Sequence, residues 1–380
     1  MKIRLFLLIF ILVVLALIST GYALSIANSY GSMDFQYSPT LLFKDKINPY
    51  EYFLYSENLD KIIGVQYPAY THASFIFFFP FSLIEYETSR LIWSCINIIL
   101  AAISVLVIAK KAGIKQYETI ILCCIFFMSS PFRNCIGNGQ FSLIVLISYC
   151  SIFIKNSSLR NFLLGTSYMK FSFMPILAFT IFFKEGFKAL LISGLFCLIG
   201  WFLFSLHLEQ NLFHTIFQPI LSGLKSFDNT LARGDLFTLI NKLIYHLFEF
   251  NTKSFSILFV MVVTFFLSKQ VSKKKDPLLI MNLMFIINLF TFGHLIYDYL
   301  VLLPTFIYSY KNLNFLKAKI SICIVLYFWF GLRIYERIKM YVFDVQIITP
   351  TNIDMLFNFI LLLILYLINL NIKSNSFVKI

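Results

Sequence analysis

The sequence predicts an all-α protein folded as a polytopic bundle of transmembrane helices, and three observations carry that prediction. Of the 380 residues, 59% are hydrophobic and only 13% charged, with a mean hydropathy of +0.82; soluble domains run at about 45–50% apolar and about 25% charged. The apolar stretches are continuous rather than alternating, which excludes a membrane β-barrel, whose strands alternate at period two. The basic residues concentrate in alternate connections between those stretches, the pattern that orients helical membrane proteins. With 46 phenylalanines, the chain has no resemblance in composition to a disordered or fibrous protein.

A hydrocarbon core of about 30 Å takes roughly 17–25 residues of helix. Marking the apolar runs gives between ten and thirteen segments, twelve as the best count, in one transmembrane domain spanning 1–380: 5–27, 88–109, 117–131, 139–154, 160–170, 172–184, 187–206, 254–268, 277–293, 297–310, 319–335 and 352–372. The first has the form of a signal peptide, Lys2 and Arg4 ahead of Leu5–Ile18, but apolar residues continue past Ser19, Thr20 and Gly21 to Ile26, which suits a retained span. The pair 160–170 and 172–184 meets at Lys170 and Pro175, as a broken or re-entrant hairpin would.

With Met1 placed inside, the inner connections collect Lys2, Arg4, Lys110, Lys111, Lys115, Lys155, Arg160, Lys184, Lys188, Lys269, Lys273, Lys274, Lys275, Lys311, Lys317, Lys319, Lys373 and Lys379. That is eighteen of the 31 basic residues against Glu118, Glu185 and Asp276, a net +15 of the chain's +13, leaving −2 elsewhere. The charge is therefore a topology signal and a contact for anionic lipid, and nucleic acid has no place in the reading. Both termini are expected in the cytoplasm and the chain in the cell membrane. This orientation requires that the apolar stretch 70–84, interrupted by Pro80, lie at the outer interface rather than cross. Two large outer loops follow, 28–87 and 207–253, so the outer side is expected to carry the function. The seven cysteines form no CxxC pair and sit inside apolar runs, as small core residues.

Ionisable groups at membrane depth cost on the order of 2.5–3.5 kcal/mol each on insertion scales and mark functional positions. Asp34, just past the first span, stands where a carboxylate is partly desolvated and its pKa rises toward working pH, the condition for a general base; a loop or cap role is the alternative. Tyr67 lies in Gly64-Val65-Gln66-Tyr67-Pro68-Ala69-Tyr70, at the level of an aromatic belt. Arg133, Asn138 and Gln140 lie in a polar turn, 130–140, suited to a phosphate or sugar hydroxyls. Lys170 is a single cation in an apolar, Pro-interrupted stretch, expected to face an anion such as a lipid phosphate or to snorkel. His294 and Asp298, four apart, share a face on a continuous helix as an acid–base or sugar-binding pair, and two ligands do not make a metal site.

Taken in order, Asp34-Phe35, Asn48-Pro49-Tyr50, Tyr67-Pro68, Gly139-Gln140, Lys170 ahead of Pro175, and Tyr297-Asp298-Tyr299 ahead of Leu303-Pro304 resemble the polytopic GT-C glycosyltransferases. The similarity is closest to glycosyltransferase family 87, the polyprenyl-phosphate-mannose-dependent mannosyltransferase-like family, over roughly residues 30–305. The resemblance implies a GT-C-like bundle with interfacial helices in its outer loops. It also implies transfer of a mannose-like hexose from a polyprenyl-phosphate sugar to a glycan or glycolipid acceptor, with inversion. Asp34 would be the base, Lys170, Gln140, Arg133 and Asn138 would hold the donor phosphate or sugar, and Tyr67, His294 and Asp298 would hold acceptor or sugar. The sequence departs from the family pattern at Ala69, where a second Pro is usual, and in the five-residue spacing from Lys170 to Pro175; His294 has no clear counterpart. No DxD pair occurs in either large outer loop, so no metal, no cofactor beyond the lipid-linked donor and no obligatory protein partner are expected. The competing classes are a lipid-linked sugar transporter, for which internal repeats are lacking, and an O-antigen-type polymerase or ligase, to which His207, His214, Arg233 and His246 of the second loop would answer.

Overall fold

A backbone in lipid has no water to satisfy its N–H and C=O groups, so uninterrupted apolar sequence folds as helix. The computed structural model describes residues 2–30, 32–226, 234–248, 253–343 and 351–372, and among them there are helices and no strand. In chain order, α1 (Lys2–Tyr30) is unbroken, and the first long connection carries α2 (Tyr37–Lys44), α3 (Pro49–Tyr55) and α4 (Ala73–Phe78). Asn48 caps α3, accepting from the Tyr50 and Glu51 amides, with Pro49 at the first position, where its missing N–H costs nothing. The helix expected over 70–84 is α4 with a 3-10 turn after it. Then come α5 (Tyr86–Ala112), α6 (Gln116–Met128), α7 (Ser130–Asn138), α8 (Ser142–Cys150), α9 (Ser157–Gly165), α10 (Met174–Glu185) and α11 (Phe187–His207). The second long connection holds α12 (Leu212–Thr215), α13 (Gln218–Ser226) and α14 (Leu236–Phe248). The last six are α15 (Lys253–Ser272), α16 (Pro277–Thr291), α17 (Leu303–Lys311), α18 (Leu316–Leu326), α19 (Leu332–Phe343) and α20 (Asn352–Leu370).

Every one of the twelve expected segments is helical, yet twelve full crossings are not obtained. Six helices among the described residues are long and apolar enough to cross, or seven if α6 and α7, bent by 59°, count as one span. The six are enough to make this a membrane protein. The bend has a local cause: Ser129 is extended and its Oγ caps α7 by accepting from the Phe132 amide, with Pro131 at the start of the new helix. The stretch expected as a polar turn over 130–140 is thus largely a nine-residue helix. At Lys170 the backbone is extended between two 3-10 turns, which separates α9 from α10 and leaves both short. α18 and α19 join through a π turn at Tyr327–Gly331 into one 27-residue helical stretch, longer than expected.

Lipid is as apolar as leucine, so burial gives little drive between membrane helices and small residues and polar contacts take over. A Cβ on Gly165 of α9 would stand 1.7 Å from the Ser193 carbonyl of α11, and one on Gly200 of α11 would stand 2.5 Å from Ala73 of α4. Deep in the bundle, Asn282 of α16 donates to Asn369 of α20 at 2.9 Å, Asn369 donates to Ser321 at 3.1 Å, and Ser309 donates to Ser321 at 2.7 Å; each such bond is worth about 0.6 kcal/mol. Outward, α1, α11 and α15 present Phe6, Leu17, Leu206, Leu258 and Phe266, all more than 60% exposed, the surface that lipid covers.

The basic connections meet one another. Lys184 donates to the Lys274 carbonyl at 3.0 Å, Lys274 to the Leu370 carbonyl at 3.4 Å, Arg160 pairs with Glu185 at 2.8 Å, and Lys111 lies over Phe153 at 6.0 Å. The two long connections meet at the other ends of these helices. Asn48 Nδ2 donates to Gln210 at 2.6 Å and Gln218 at 2.9 Å, while Gln210 and Gln218 donate to the two oxygens of Glu51 at 3.2 and 3.0 Å. Lys46 pairs with Glu209 at 2.8 Å.

Candidate active site

Five of the eight residues singled out by the sequence converge on one point between α2, α7, α8, the Lys170 break and the 3-10 turn Ile296–Leu302. Gly139 makes the convergence possible. It ends α7 with φ +68, and a Cβ there would lie 2.7 Å from that of Phe35, so only glycine lets the Asp34-Phe35 turn close onto the helix end. The Asp34 amide donates to the Asn138 carbonyl at 2.8 Å, and Trp93 Nε1 donates to the Gly139 carbonyl at 2.8 Å while its ring stacks on Phe35.

Gln140 follows, fully buried. Its Oε1 accepts from Tyr70 Oη at 2.7 Å and from Lys170 Nζ at 3.4 Å, so its Nε2 is left for the Asp34 carboxylate, to which Tyr297 also donates. Lys170 Nζ also donates to Ser142 Oγ at 3.0 Å and to Asp298 Oδ1. Its three protons are thereby engaged, and the anion that the protein itself sets opposite Lys170 is the carboxylate of Asp298. The Lys170 ammonium also lies over the rings of Tyr297 and Phe173, at 5.1 and 5.5 Å.

Asp298 is buried. Its Oδ1 accepts from Ser142 at 2.5 Å and from Lys170, and its Oδ2 is 3.0 Å from His294 Nδ1. The other histidine nitrogen, Nε2, has two partners on one residue, the Asn288 amide nitrogen and the Asn288 carbonyl, each at 3.1 Å. His294 and Asp298 thus form the pair their spacing predicts, although His294 lies in the loop before the 3-10 turn and the two share no continuous helix.

Asp34 differs from Asp298 in being half-buried. Burial pushes its pKa up to about 6, against the opposing pull of Gln140 and Lys170 and with the Asp298 charge adding to the rise. The carboxyl is therefore mostly ionised at neutral pH yet basic enough to take a proton, in a residue that is partly exposed.

Three expected residues lie elsewhere. The Tyr67 ring stacks on Phe53 at 4.6 Å and its carbonyl accepts from Gln36 at 3.0 Å; the tyrosine that reaches the cluster is Tyr70, three residues further on and ahead of α4. Asn138 contributes its carbonyl. Arg133 points the other way around α7, donating to the Met128 carbonyl and to Ser19 Oγ at 3.3 Å. Of the second-loop histidines, His207 bonds the Phe43 carbonyl at 2.9 Å and His214 lies 3.4 Å from Glu51, both serving contact between the loops; Arg233 and the side chain of His246 lie outside the described residues. Tyr70, Ser142, Tyr297 and Asn288 are the functional candidates that the sequence reading passed over. Among the described residues no group of three or more His, Cys, Asp or Glu side chains could hold a metal ion.

A bundle of membrane helices enclosing a partly exposed acid beside an ammonium–carboxylate–imidazole chain is the architecture of a helical membrane protein with a polar cluster in its body. The chain matches the sequence model of glycosyltransferase family 87 over residues 69–292, more than half its length, and it belongs to that family: it is a membrane glycosyltransferase. The match includes Tyr70, Gln140, Ser142 and Lys170 and ends before His294. No curated protein and no solved structure matches the chain significantly.

Proposed function

We propose that the protein transfers a hexose, mannose-like, from a polyprenyl-phosphate sugar to a glycan or glycolipid acceptor at the outer face of the cell membrane, with Asp34 as general base and inversion at C1. The observation that carries this reading is the contrast within the cluster: of its two acids, Asp34 alone is partly exposed, is held by neutral donors only and has a pKa raised to about 6. The acceptor hydroxyl binds against Asp34 and gives up its proton as its oxygen attacks C1, and the phosphate leaves with the electron pair of the C1–O bond. Lys170, fixed by Asp298, Ser142 and Gln140, acts on the developing negative charge through its field and holds Gln140 so that the Asp34 carboxylate keeps its aim. The chemistry calls for no metal, because the leaving group is already a good one. The gathering of the basic connections at the ends of the helices remote from Asp34 supports a cytoplasmic side there, with both termini on it.

The test is transfer of radiolabelled sugar from a panel of polyprenyl-phosphate hexoses into acceptor lipid by wild-type protein and Asp34→Asn at matched membrane levels. Transfer by wild type and its loss in the variant are expected. Unchanged transfer in Asp34→Asn removes Asp34 as the base, and wild-type transfer from a nucleotide sugar alone removes the lipid-linked donor.

A further inference from the structure

α12 and α13 are amphipathic in reverse: their polar side chains turn into the protein and their apolar ones turn out. Phe213, Ile216, Phe217, Ile220 and Leu221 are exposed, Phe213 at 83% and Phe217 at 63%, whereas Thr215, Gln218 and Ser222 are buried. The inward side is hydrogen-bonded along its length. Trp201 Nε1 donates to Thr215 Oγ1 at 2.8 Å, and His72 Nε2 donates to the Thr215 carbonyl at 3.1 Å. Gln218 belongs to the amide lattice with Asn48 and Glu51, and Ser222 Oγ donates to the Pro68 carbonyl at 2.5 Å. Gly223 lies so close to Phe171 that a Cβ on it would stand 2.5 Å from the ring.

An apolar face of this extent left in water drives association, and its place in the fold indicates what covers it. α11 is long and apolar enough to cross the membrane, and Phe202 and Leu206 near its end are exposed on the surface that lipid covers. Thr215 bonds to Trp201 and, at 2.7 Å, to Ser205 Oγ, both in the last two turns of that helix. At about 1.5 Å of rise per residue, α12 therefore stands roughly 3–9 Å short of the helix end, within the span rather than beyond it. With four and nine residues, α12 and α13 are too short to cross, and their bonded inner side lays them along the bundle. Interfacial helices lie in this way, with the apolar face about 5–10 Å into the boundary between head groups and acyl chains.

We infer that α12 and α13 form an arm seated in the bilayer on the side of the two long connections, its outward face covered by lipid acyl chains, and that this seat holds the Lys170 break at the level where lipid head groups begin. Gly223 against Phe171, and Ser222 against Pro68, pass the depth of the arm on to Lys170 and to Tyr70. The seat itself does not depend on the proposed reaction. Its use does rest on that reading: a lipid-linked donor presents its phosphate to the cluster while its isoprenoid tail stays in the membrane.

The full chain carrying Cys95→Ser and Cys323→Ser, which removes its two exposed cysteines, is spin-labelled at Phe213→Cys, at Phe217→Cys or, as an aqueous reference, at exposed Glu57→Cys, and placed in phosphatidylcholine vesicles. Electron paramagnetic resonance then reads collisions of each label with oxygen, which concentrates in lipid, and with a water-soluble nickel chelate. The labels at 213 and 217 are expected to gain oxygen collisions and to lose most chelate collisions relative to that at 57; Leu221→Cys replaces either position if it fails to fold. Chelate access at 213 and 217 equal to that at 57 overturns the seat, and so does spin–spin broadening between labels, which would mean that a second copy covers the face. Asp34→Asn, which loses transfer on the reading above, is expected to give the same collision pattern, so the two readings fail separately. For the use of the seat, Phe213→Gln/Phe217→Gln is expected to raise the KM for a polyprenyl-phosphate hexose at least about tenfold, the worth of one buried apolar side chain. Its kcat, and its KM for a short-chain, water-soluble isoprenyl-phosphate hexose, are expected to stay as in wild type. No rise, or an equal rise for both donors, overturns the depth-setting role.

Discussion

Asp34 and Asp298 belong to one cluster, and each shares neighbours with the other, yet their surroundings are opposite. Asp298 is buried and receives Lys170, Ser142 and His294 on its two oxygens. Asp34 is half-buried, receives neutral donors, Gln140 and Tyr297, and feels the Lys170 charge without touching it. The difference teaches how one lysine serves two acids: it neutralises the nearer one outright and stops short of the other, which stays basic. A carboxylate gripped as Asp298 is cannot accept a proton without losing its partners, whereas Asp34 loses little by it.

Erasing the difference at Asp34 gives the largest effect. Asp34→Asn is expected to lower the transfer rate by about 10³-fold, within the range of a general base. The same substitution is expected to leave the melting temperature unchanged or to raise it. A carboxylate whose pKa rises on folding from 3.8 to about 6 destabilises the folded state when ionised; that cost is absent below about pH 4 and complete above about pH 6, at most about 3 kcal/mol. Rate and melting curves measured on the same preparation check both halves, and a marked loss of stability would show that Asp34 is structural.

Removing the lysine attacks the Asp298 side. Lys170→Met strands a buried carboxylate and is expected to cost about 3–5 kcal/mol, while Lys170→Met/Asp298→Asn recovers most of that stability without recovering transfer. Denaturant titration of the three proteins decides it; recovery of activity in the double variant would make the pair purely architectural.

The pH profile sharpens the comparison without a mutation. Transfer is expected to fall about tenfold per unit as pH drops below about 6, where Asp34 takes its proton, and to level above it. A rate that does not change between pH 5 and 7 would separate Asp34 from the proton transfer.

The smallest effects distinguish two tyrosines. Tyr70→Phe removes the hydroxyl that holds Gln140 and is expected to slow transfer by about tenfold, the worth of one buried hydrogen bond. Tyr67→Phe is expected to change the rate by less than about twofold, since the Tyr67 ring rather than its hydroxyl makes its contact. Equal effects would mean that the Gln140 network does not set the aim of Asp34.

Much of this cluster was legible because charge in or beside apolar sequence is conspicuous: Lys170 interrupts an apolar run, Asp34 follows the first span, His294 and Asp298 lie where two apolar segments join, and Gly139 next to Gln140 marks a backbone approach. Tyr70 was not legible. It stands three residues from Tyr67, and only the tertiary contacts, Tyr70 on Gln140 and Phe141 and Tyr67 on Phe53, tell the two apart. Arg133 was placed with Gln140 on the assumption of a turn; in the helix that forms instead, Arg133 turns to Ser19 of α1, while Gln140 lies past the helix end at Gly139 and turns to Asp34. Ser142 and Asn288 are ordinary polar residues in helices until the fold sets them beside Lys170 and His294. Six or seven long apolar helices among the described residues, rather than the twelve expected, have a related reason. A run of ten to fifteen apolar residues reads as a span cut short, and whether it crosses depends on neighbours that cover its ends, as they do around Lys170.

The amide lattice between the two long loops has a consequence for how this enzyme can be altered. Glu51 is satisfied by Gln210 and Gln218, and both of those share Asn48, so neither loop is complete without the other. A chimaera that imports the first loop of a relative alone leaves two glutamines without acceptors, and one that imports the second leaves a glutamate bare. The loops are a single heritable unit cut into two stretches of sequence, and any redesign of what the enzyme accepts must move them together.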